Sequence, residues 1–186
     1  MKAARLPDPF WASCARCGLS RTRRTVVLGR GAVPADVMFV GIGPGVGEDV
    51  VGKPFIGPSG QLLDAAIADA SARAKWEPRC YFDNLVACRP TDDRRGENRD
   101  PSEEEATCCR PRLVKAVELC RPRRIVLLGL AVQGEVARLF PDADELPHPA
   151  SVLYSAGNDH GSVHYRRYWM ALWAILEKLK KEVGVG

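Results

Sequence analysis

Four cysteines in three separate segments place the strongest constraint on how this chain folds. Cys14 and Cys17 form a C-x-x-C pair, and Cys88 and Cys109 each precede an Arg-Pro dipeptide. The four thiols can share one metal centre only if the fold brings all three segments together. Thiolates select soft ions, which leaves zinc or an iron–sulfur cluster as the candidates. Ordinary buried cysteines with a chance C-x-x-C pair are the alternative interpretation.

Length and composition are typical of a single globular domain over residues 1–186. The share of hydrophobic residues is 46% and that of charged residues is 27%, both ordinary for a protein with a full core. No apolar run approaches the roughly 20 residues of a membrane span, and the first residues lack a signal-peptide core, so we expect a cytoplasmic protein without a membrane partner. In that compartment the seven cysteines favour metal chemistry over disulfides. The net charge of +4 permits a nucleic-acid partner without requiring one.

Short apolar runs alternate with helical patterns along the chain. The predicted strands are residues 36–41, 79–86 and 124–129, and the predicted helices are residues 59–72, 102–120, 131–139 and 165–182. Apolar periodicity and capping residues carry these assignments. Residues 91–100 are charged and contain glycine, which predicts a loop. Strands separated by helices predict an α/β fold in which a largely parallel sheet has helices on both sides.

A glycine-rich segment, residues 41–49, follows the first predicted strand. Ligands of α/β proteins bind at the carboxyl ends of the strands, and glycines let backbone N–H groups approach a phosphate or a base closely. The segment matches neither the P-loop nor the dinucleotide fingerprint, and a simple turn is the alternative. Phe55 follows among prolines and glycines, either as a core aromatic or as a stacking platform for a flat ligand.

Several motifs follow one another in a fixed order along the chain. They are the C-x-x-C pair, Phe39-Val40 with the glycine-rich segment through Gly60, Asn84-x-x-x-Cys88-Arg89-Pro90, Cys109-Arg110-Pro111, Leu127-Leu128-Gly129 and His148-Pro149. In this order they resemble the family 4 uracil-DNA glycosylases, the iron–sulfur type. The resemblance implies a three-layer α/β/α fold around a mostly parallel four-stranded sheet. It also implies a monomeric DNA N-glycosylase that excises uracil or a related damaged or modified base from single- or double-stranded DNA in base excision repair.

The same resemblance implies a 4Fe-4S cluster. Its ligands would be Cys14, Cys17, Cys88 and Cys109, with the neighbouring Cys108 as the alternative fourth ligand. The cluster is expected to be structural and to hold the N-terminal segment and the loop of residues 91–100 near DNA.

A base pocket is the third implication of the resemblance. Phe55 would stack on the flipped base, Asn84 would read its polar edge, and His148 would donate a hydrogen bond where charge develops. His148 and Asn84 are therefore the expected catalytic residues. The full substrate-binding set would be Gly41, Ile42, Gly43, Pro44, Gly45, Phe55, Asn84 and His148. Val152 and Leu153 match the segment that wedges into the minor groove.

The chain departs from the family pattern in three places. Ile42 stands where the family has its catalytic glutamate, so the alternative function is a catalytically silent relative that binds DNA or a modified base. The stretch of residues 140–148 is shorter than the family's connection, and we expect a strand or hairpin beside the site to be missing. The loop of residues 91–100 lacks the histidine of relatives that trap DNA covalently, which argues against suicide attachment.

Overall fold

The computed structural model of the protein describes residues 9–156, 159 and 161–185. The elements, in chain order, are α1 (Pro9–Ala12), a 3₁₀ turn (Gly18–Ser20), β1 (Arg30–Gly31), β2 (Val37–Gly41), α2 (Val46–Val51), α3 (Pro58–Ala74), β3 (Cys80–Asn84), α4 (Glu103–Cys120), β4 (Arg124–Leu128), α5 (Leu130–Val136), β5 (Asp144–Leu146), α6 (Pro149–Ala156) and α7 (Val163–Glu182). Within these ranges, no helix has the length and apolar character needed to cross a membrane.

The sheet has five strands in the order β1-β3-β2-β4-β5. All neighbours are parallel except β1, which runs antiparallel to β3. The predicted mostly parallel sheet is therefore confirmed, but the predicted number of four strands is wrong. The two edge strands, β1 and β5, have only two and three residues. They are strands because they pair with β3 and β4, and neither contains an apolar run that would reveal it in the sequence.

The core lies on both faces of the sheet. Successive side chains of a strand point to opposite faces, so Val37 and Phe39 of β2 pack on one side and Met38 and Val40 on the other. Helices α3, α6 and α7 cover the first side, and α4 and α5 cover the second. Their core residues include Leu63, Leu172, Leu113 and Val132. This arrangement is the predicted three-layer fold.

Helix ends follow the local sequence. The Ser102 hydroxyl accepts the Glu105 N–H at the start of α4, and the Glu105 carboxylate accepts the Ser102 N–H at 2.8 Å, which is a capping box. Helices α2 and α6 were not predicted, because glycines surround the first and Pro149 opens the second. Proline suits a first helical turn, where its missing N–H leaves no bond unmade.

The stretch of residues 140–148 contains strand β5, which corrects the expectation that a strand beside the site is missing. Its register pairs Leu128 of β4 with Leu146, and the Leu146 carbonyl accepts the Gly129 N–H at 2.8 Å. The short connection therefore still extends the sheet and delivers His148 to the end of β4.

The strand order creates a crevice. The chain leaves β2 toward β3 on one side, and it leaves β4 toward β5 on the other side. Where connections diverge in this way, the carboxyl ends of the two neighbouring strands border a natural binding crevice. Here Gly41 ends β2 and Gly129 follows β4.

Candidate active site

A cleft of about 640 Å³ opens at this crevice. Its walls are residues 42–48, Phe55, Asn84, residues 98–100 and His148, with Pro90 and Ala150 nearby. The volume lies in the range of small-molecule sites. Phe55, Asn84 and His148, which the sequence predicts as one pocket, line this same cleft.

Gly41 allows two of these side chains to meet. A Cβ atom at Gly41 would lie 2.5 Å from Asn84 Oδ1 and 2.9 Å from Phe55 Cζ, closer than van der Waals contact permits. Gly41 is itself buried against these two side chains and is not part of the cleft wall. Gly41 thus contributes to the site by leaving room for Asn84 and Phe55, whereas the sequence predicts a direct contact between Gly41 and the substrate.

Phe55 adopts a backbone conformation that is rare for a bulky residue, with φ of 56°. Arg30 holds this turn, because its guanidinium donates to the carbonyls of Pro54 (2.9 Å) and Phe55 (3.2 Å) and also pairs with Asp64. The Phe55 ring packs against Phe82 with 5.9 Å between centroids. The ring is therefore both a core aromatic and a wall of the cleft, and strain of this kind is typical of functional sites.

Asn84 has a buried amide without a partner. Its side-chain Nδ2 donates no hydrogen bond within the part of the chain that the structure describes. The backbone around it is fixed, since Arg112 donates to the Asn84 carbonyl and pairs with Asp83 at 2.8 Å in the interior. A buried donor left unpaired costs about 1–3 kcal/mol. Such a donor at a cleft wall is suited to a ligand that accepts a hydrogen bond.

His148 can donate a hydrogen bond to a ligand through Nε2, because its Nδ1 accepts one from the backbone. Burial lowers the pKa of the imidazole below its ordinary value, and Nδ1 accepts the Ala150 N–H at 3.1 Å. The proton of the neutral ring is therefore on Nε2, where it can serve a ligand. Gly129 makes room for this histidine, because its φ is 95° and a Cβ there would lie 2.9 Å from His148 Cβ.

A second cavity, the cysteine cavity, brings the three cysteine-bearing segments together. Its lining residues include Cys14, Cys17, Cys88, Cys108 and Cys109. Two donors already point at these sulfurs: Arg23 Nη1 lies 3.3 Å from Cys88 Sγ, and the Ala87 N–H lies 3.4 Å from Cys109 Sγ.

Burial raises the pKa of the Cys88 thiol to about 11, so a metal has to displace its proton on binding. Across residues 9–156 and 161–185, no three His, Cys, Asp or Glu side chains are arranged to hold a single metal ion. A cubane cluster makes a different demand, because each thiolate binds a separate iron. Cysteine residues that line one cavity, as these do, have the donor chemistry that such a cluster requires.

Comparison with known proteins places the chain in a family. The family model described as "Uracil DNA glycosylase superfamily" matches residues 28–173, more than half of the sequence. The chain belongs to the uracil DNA glycosylase superfamily. The prediction from its motifs is thereby confirmed at the level of the superfamily.

Similar proteins of the superfamily carry the name type-4 uracil-DNA glycosylase. The one from Pyrobaculum aerophilum is 38% identical over 118 residues, which cover 63% of this chain and 56% of that protein. The one from Archaeoglobus fulgidus is 38% identical over 128 residues, 69% of this chain and 60% of that protein. The one from Thermotoga maritima is 37% identical over 116 residues, 62% and 56% respectively. The chain thus spans between half and three-fifths of the length of the curated relatives it matches.

Two acidic residues end the glycine-rich segment of this superfamily member, and both accept hydrogen bonds from backbone N–H groups. Glu48 accepts the N–H of Gly45 at 3.0 Å and that of Ile56 at 3.3 Å. Asp49 is buried and accepts the Arg24 N–H at 2.9 Å. Glu48 therefore joins the start of α2 to the Phe55 segment, Asp49 joins α2 to the N-terminal segment, and neither carboxylate is free for chemistry.

Ile42 forms part of the cleft wall and packs against the core below. The next residue, Gly43, is packed too closely for any side chain, since a Cβ there would lie 2.9 Å from Val86 and 3.0 Å from Pro90. Pro44 and Gly45 continue the same wall. The first wall of the cleft thus offers backbone groups and an apolar side chain, but no free carboxylate.

A second wall of the cleft, residues 98–100, was not predicted to belong to the site. Arg89 is buried and positions it, donating from Nε to Asn98 Oδ1 at 2.6 Å and from Nη2 to the Gly96 carbonyl. Arg99 is engaged elsewhere, with Glu105 at 2.8 Å. The only sequence signal was the polar run just before the Ser102 cap, which is also typical of an ordinary loop.

The predicted DNA wedge requires a correction. Val152 is only 5% exposed and belongs to the core under α6, so in this conformation it cannot enter a minor groove. Leu153 is half-buried against the same core, and its role as a wedge stays a prediction. The outward-facing large side chain of α6 is Tyr154, which is 91% exposed.

Proposed function

We propose that this protein excises uracil, or a related damaged base, from DNA by hydrolysing the N-glycosidic bond. One observation carries the proposal. Asn84, whose buried amide Nδ2 has no partner, and His148, whose pKa is lowered by burial, line the same cleft. Enzymes of this kind take the base out of the stack and read it in a pocket. The cleft of about 640 Å³ is large enough for a base and its sugar.

Base recognition follows from the donors on the cleft walls. Uracil presents carbonyl oxygens that accept hydrogen bonds, and Asn84 Nδ2 is a buried donor that lacks an acceptor. Cytosine carries an amino group in place of one of these oxygens. Its amino group and Asn84 Nδ2 are both donors, so they could not form a hydrogen bond with each other. Phe55 offers a ring at the same cleft, against which a flat base can stack.

Bond cleavage needs a donor where negative charge develops. As the glycosidic bond breaks, its electron pair moves to the base and charge accumulates on a uracil oxygen. A neutral His148 with its proton on Nε2 can donate to that oxygen, which stabilises the leaving base. Water then completes the hydrolysis at the sugar carbon.

We propose that Cys14, Cys17, Cys88 and Cys109, which line the cysteine cavity, would hold a 4Fe-4S cluster. The thiols surround one cavity, and N–H groups already point at two of the sulfurs. Cys109 is preferred over Cys108 because Cys109 accepts the Ala87 N–H. When bound, the cluster would supply a cross-link among three segments of the chain.

DNA as the partner is part of the proposed function. A monomeric state and a cytoplasmic location stay predictions.

A catalytically silent relative that binds DNA or a modified base without cutting is the second candidate. Ile42 favours it, because an apolar side chain stands on the wall where the family carries its catalytic glutamate.

Uracil release from single-stranded and duplex oligonucleotides containing one deoxyuridine tests the proposal. We expect wild-type protein to release uracil and leave an abasic site. His148→Ala should slow release by about 10²–10⁴-fold, as loss of an acid–base or donor group typically does, whereas His164→Ala, which changes an exposed histidine of α7, should have no effect. Binding without release, followed by release in Ile42→Glu, would identify the silent relative instead.

A further inference from the structure

Hydrolysis in this cleft requires a group that takes a proton from the attacking water, and Ile42 cannot do so. This inference rests on the proposed function and concerns the residue that replaces the missing carboxylate. Along the described cleft walls, two acidic residues are present, Glu48 and Asp100. Glu48 is committed to the backbone N–H groups of Gly45 and Ile56, which leaves Asp100.

The Asp100 carboxylate is free, whereas its backbone is fixed. Among the hydrogen bonds and ion pairs of the described residues, none involves its side chain, and the residue is exposed to solvent at the cleft. Its carbonyl accepts from Arg99 Nη1 at 2.9 Å, and the Arg99 N–H donates to the Pro90 carbonyl at 3.1 Å. Pro101 follows and restricts the chain further. The loop therefore holds a free carboxylate in a defined place.

The wall that carries Asp100 lies against the glycine-rich segment that begins at Ile42. Asn98 Nδ2 is 3.7 Å from the position that a Cβ of Gly45 would take, and Pro90 Cγ is 3.0 Å from the corresponding position at Gly43. Arg89 fixes Asn98 by its 2.6 Å hydrogen bond. The two walls thus approach each other closely at Asn98 and Gly45, and Asp100 lines the same cleft as Ile42 and His148.

We propose that Asp100 is the catalytic base of this protein. Its carboxylate accepts a proton from a water molecule while the water oxygen bonds to the anomeric carbon of the sugar. The glycosidic bond breaks, and its electron pair leaves with the uracil, whose oxygen receives the hydrogen bond of His148. The departing uracil anion takes a proton from solvent, and Asp100 returns its proton to solvent. Water is the sole co-reactant, and the products are free uracil and an abasic site.

Single-turnover excision by Asp100→Asn tests the assignment, with Glu97→Gln as the matched control. Glu97 lies on the same loop, is exposed and does not line the cleft, so the control makes the same change of charge away from the site. We expect Asp100→Asn to lose about 10²–10⁴-fold in rate with unchanged affinity for uracil-containing DNA. Asp100→Glu, which keeps a carboxylate, should be faster than Asp100→Asn.

The outcomes separate the inference from the proposed function. If wild-type protein releases uracil and Asp100→Asn matches Glu97→Gln in rate, the assignment of Asp100 is overturned while the proposed function stands. A loss in Asp100→Asn that comes entirely from weaker DNA binding overturns the assignment as well. Wild-type protein that releases no uracil refutes the proposed function, and Asp100 as its base with it.

Discussion

The cleft and the cysteine cavity share one stretch of chain but differ in what holds them together. Asn84, at the end of β3, belongs to the cleft, and Cys88, four residues later, belongs to the cysteine cavity. The cleft is fixed by the protein's own bonds, such as those of Glu48 and Arg30. Around the cysteines, two weak contacts to sulfur, at 3.3 and 3.4 Å, reach across segments. The hydrogen bonds of the chain thus preorganise the polar cleft, whereas at the cysteines the Val27 N–H donates to the Ala87 carbonyl at 2.7 Å and the proposed cluster would add further links.

Arg112 connects the two regions. Its guanidinium is buried, pairs with Asp83 and donates to the Asn84 carbonyl, and the residue also lines the cysteine cavity. A change at this residue should disturb both regions, while changes elsewhere should disturb one.

Removal of the proposed cluster should have the largest effect on local structure. The effect should be confined to the segments around the cysteine cavity. Anaerobically purified protein should contain about four irons per chain, as a cubane cluster does, and Cys88→Ser should contain almost none. Because the cluster joins three segments, residues 9–27 should become sensitive to limited proteolysis while the sheet stays folded. Cys80→Ser, which changes a thiol outside the cavity, is the control. Stoichiometric zinc without iron would contradict the cluster.

Loss of the buried ion pair should disturb both regions. Arg112→Met leaves the Asp83 charge buried without a partner, and breaking such a pair costs about 3–5 kcal/mol in free energy of unfolding. Arg110→Met is the matched control, because the Arg110–Glu135 pair is partly exposed and exposed pairs contribute about 0–1 kcal/mol. Urea unfolding of both variants measures the difference. Equal losses would mean that Arg112 does not organise the site.

A methyl group at Gly41 should damage the cleft without touching the cysteines. In Gly41→Ala the new Cβ meets Asn84 and Phe55, and overpacking of this kind costs about 1–3 kcal/mol. Uracil excision should fall together with stability, while the iron content stays unchanged. Gly47→Ala is a control of opposite sign, since nothing lies within 4 Å of its Cβ and alanine favours the helix by up to ~1 kcal/mol.

Titration of His148 should give the smallest effect. Burial lowers the pKa of this imidazole in the folded state, so below about pH 6.5, the ordinary value, the unfolded chain binds a proton that the folded protein does not. The stability that the neutral form of His148 allows is therefore complete above that pH. The free energy of unfolding decreases as the pH falls below it. Denaturant unfolding at pH 7.5, 6.5 and 5.5 should show a steeper decrease for wild type than for His148→Gln. Parallel curves would argue against a buried neutral histidine.

The central strands were predictable from the sequence, but the edge strands were not. Strand β2 is buried along its whole length, and β4 is apolar from Ile125 onward and buried over its last three residues, which is the usual pattern of parallel strands. Residues 30–31 and 144–146 show no such run, and hydrogen bonding to β3 and β4 decides their structure. Tertiary contacts of this kind leave little trace in a local pattern.

The candidate site divides in the same way. Phe55, Asn84 and His148 follow recognisable motifs at strand ends, so the sequence indicates them. The position of Asp100 depends on how Arg89 folds its loop through hydrogen bonds, which no spacing reveals. Val152 was assigned to the wrong environment because the helix that begins at Pro149 turns this side chain into the core.

A crystal structure of the protein with an oligonucleotide that carries a non-hydrolysable deoxyuridine analogue tests the central claim most directly. We expect the uracil to lie in the cleft, with one of its oxygens within hydrogen-bonding distance of Asn84 Nδ2 and another near His148 Nε2. A water molecule should lie between Asp100 and the sugar. A uracil that stays stacked in the DNA, or that binds outside the cleft with Asn84 Nδ2 still unpartnered, would contradict it.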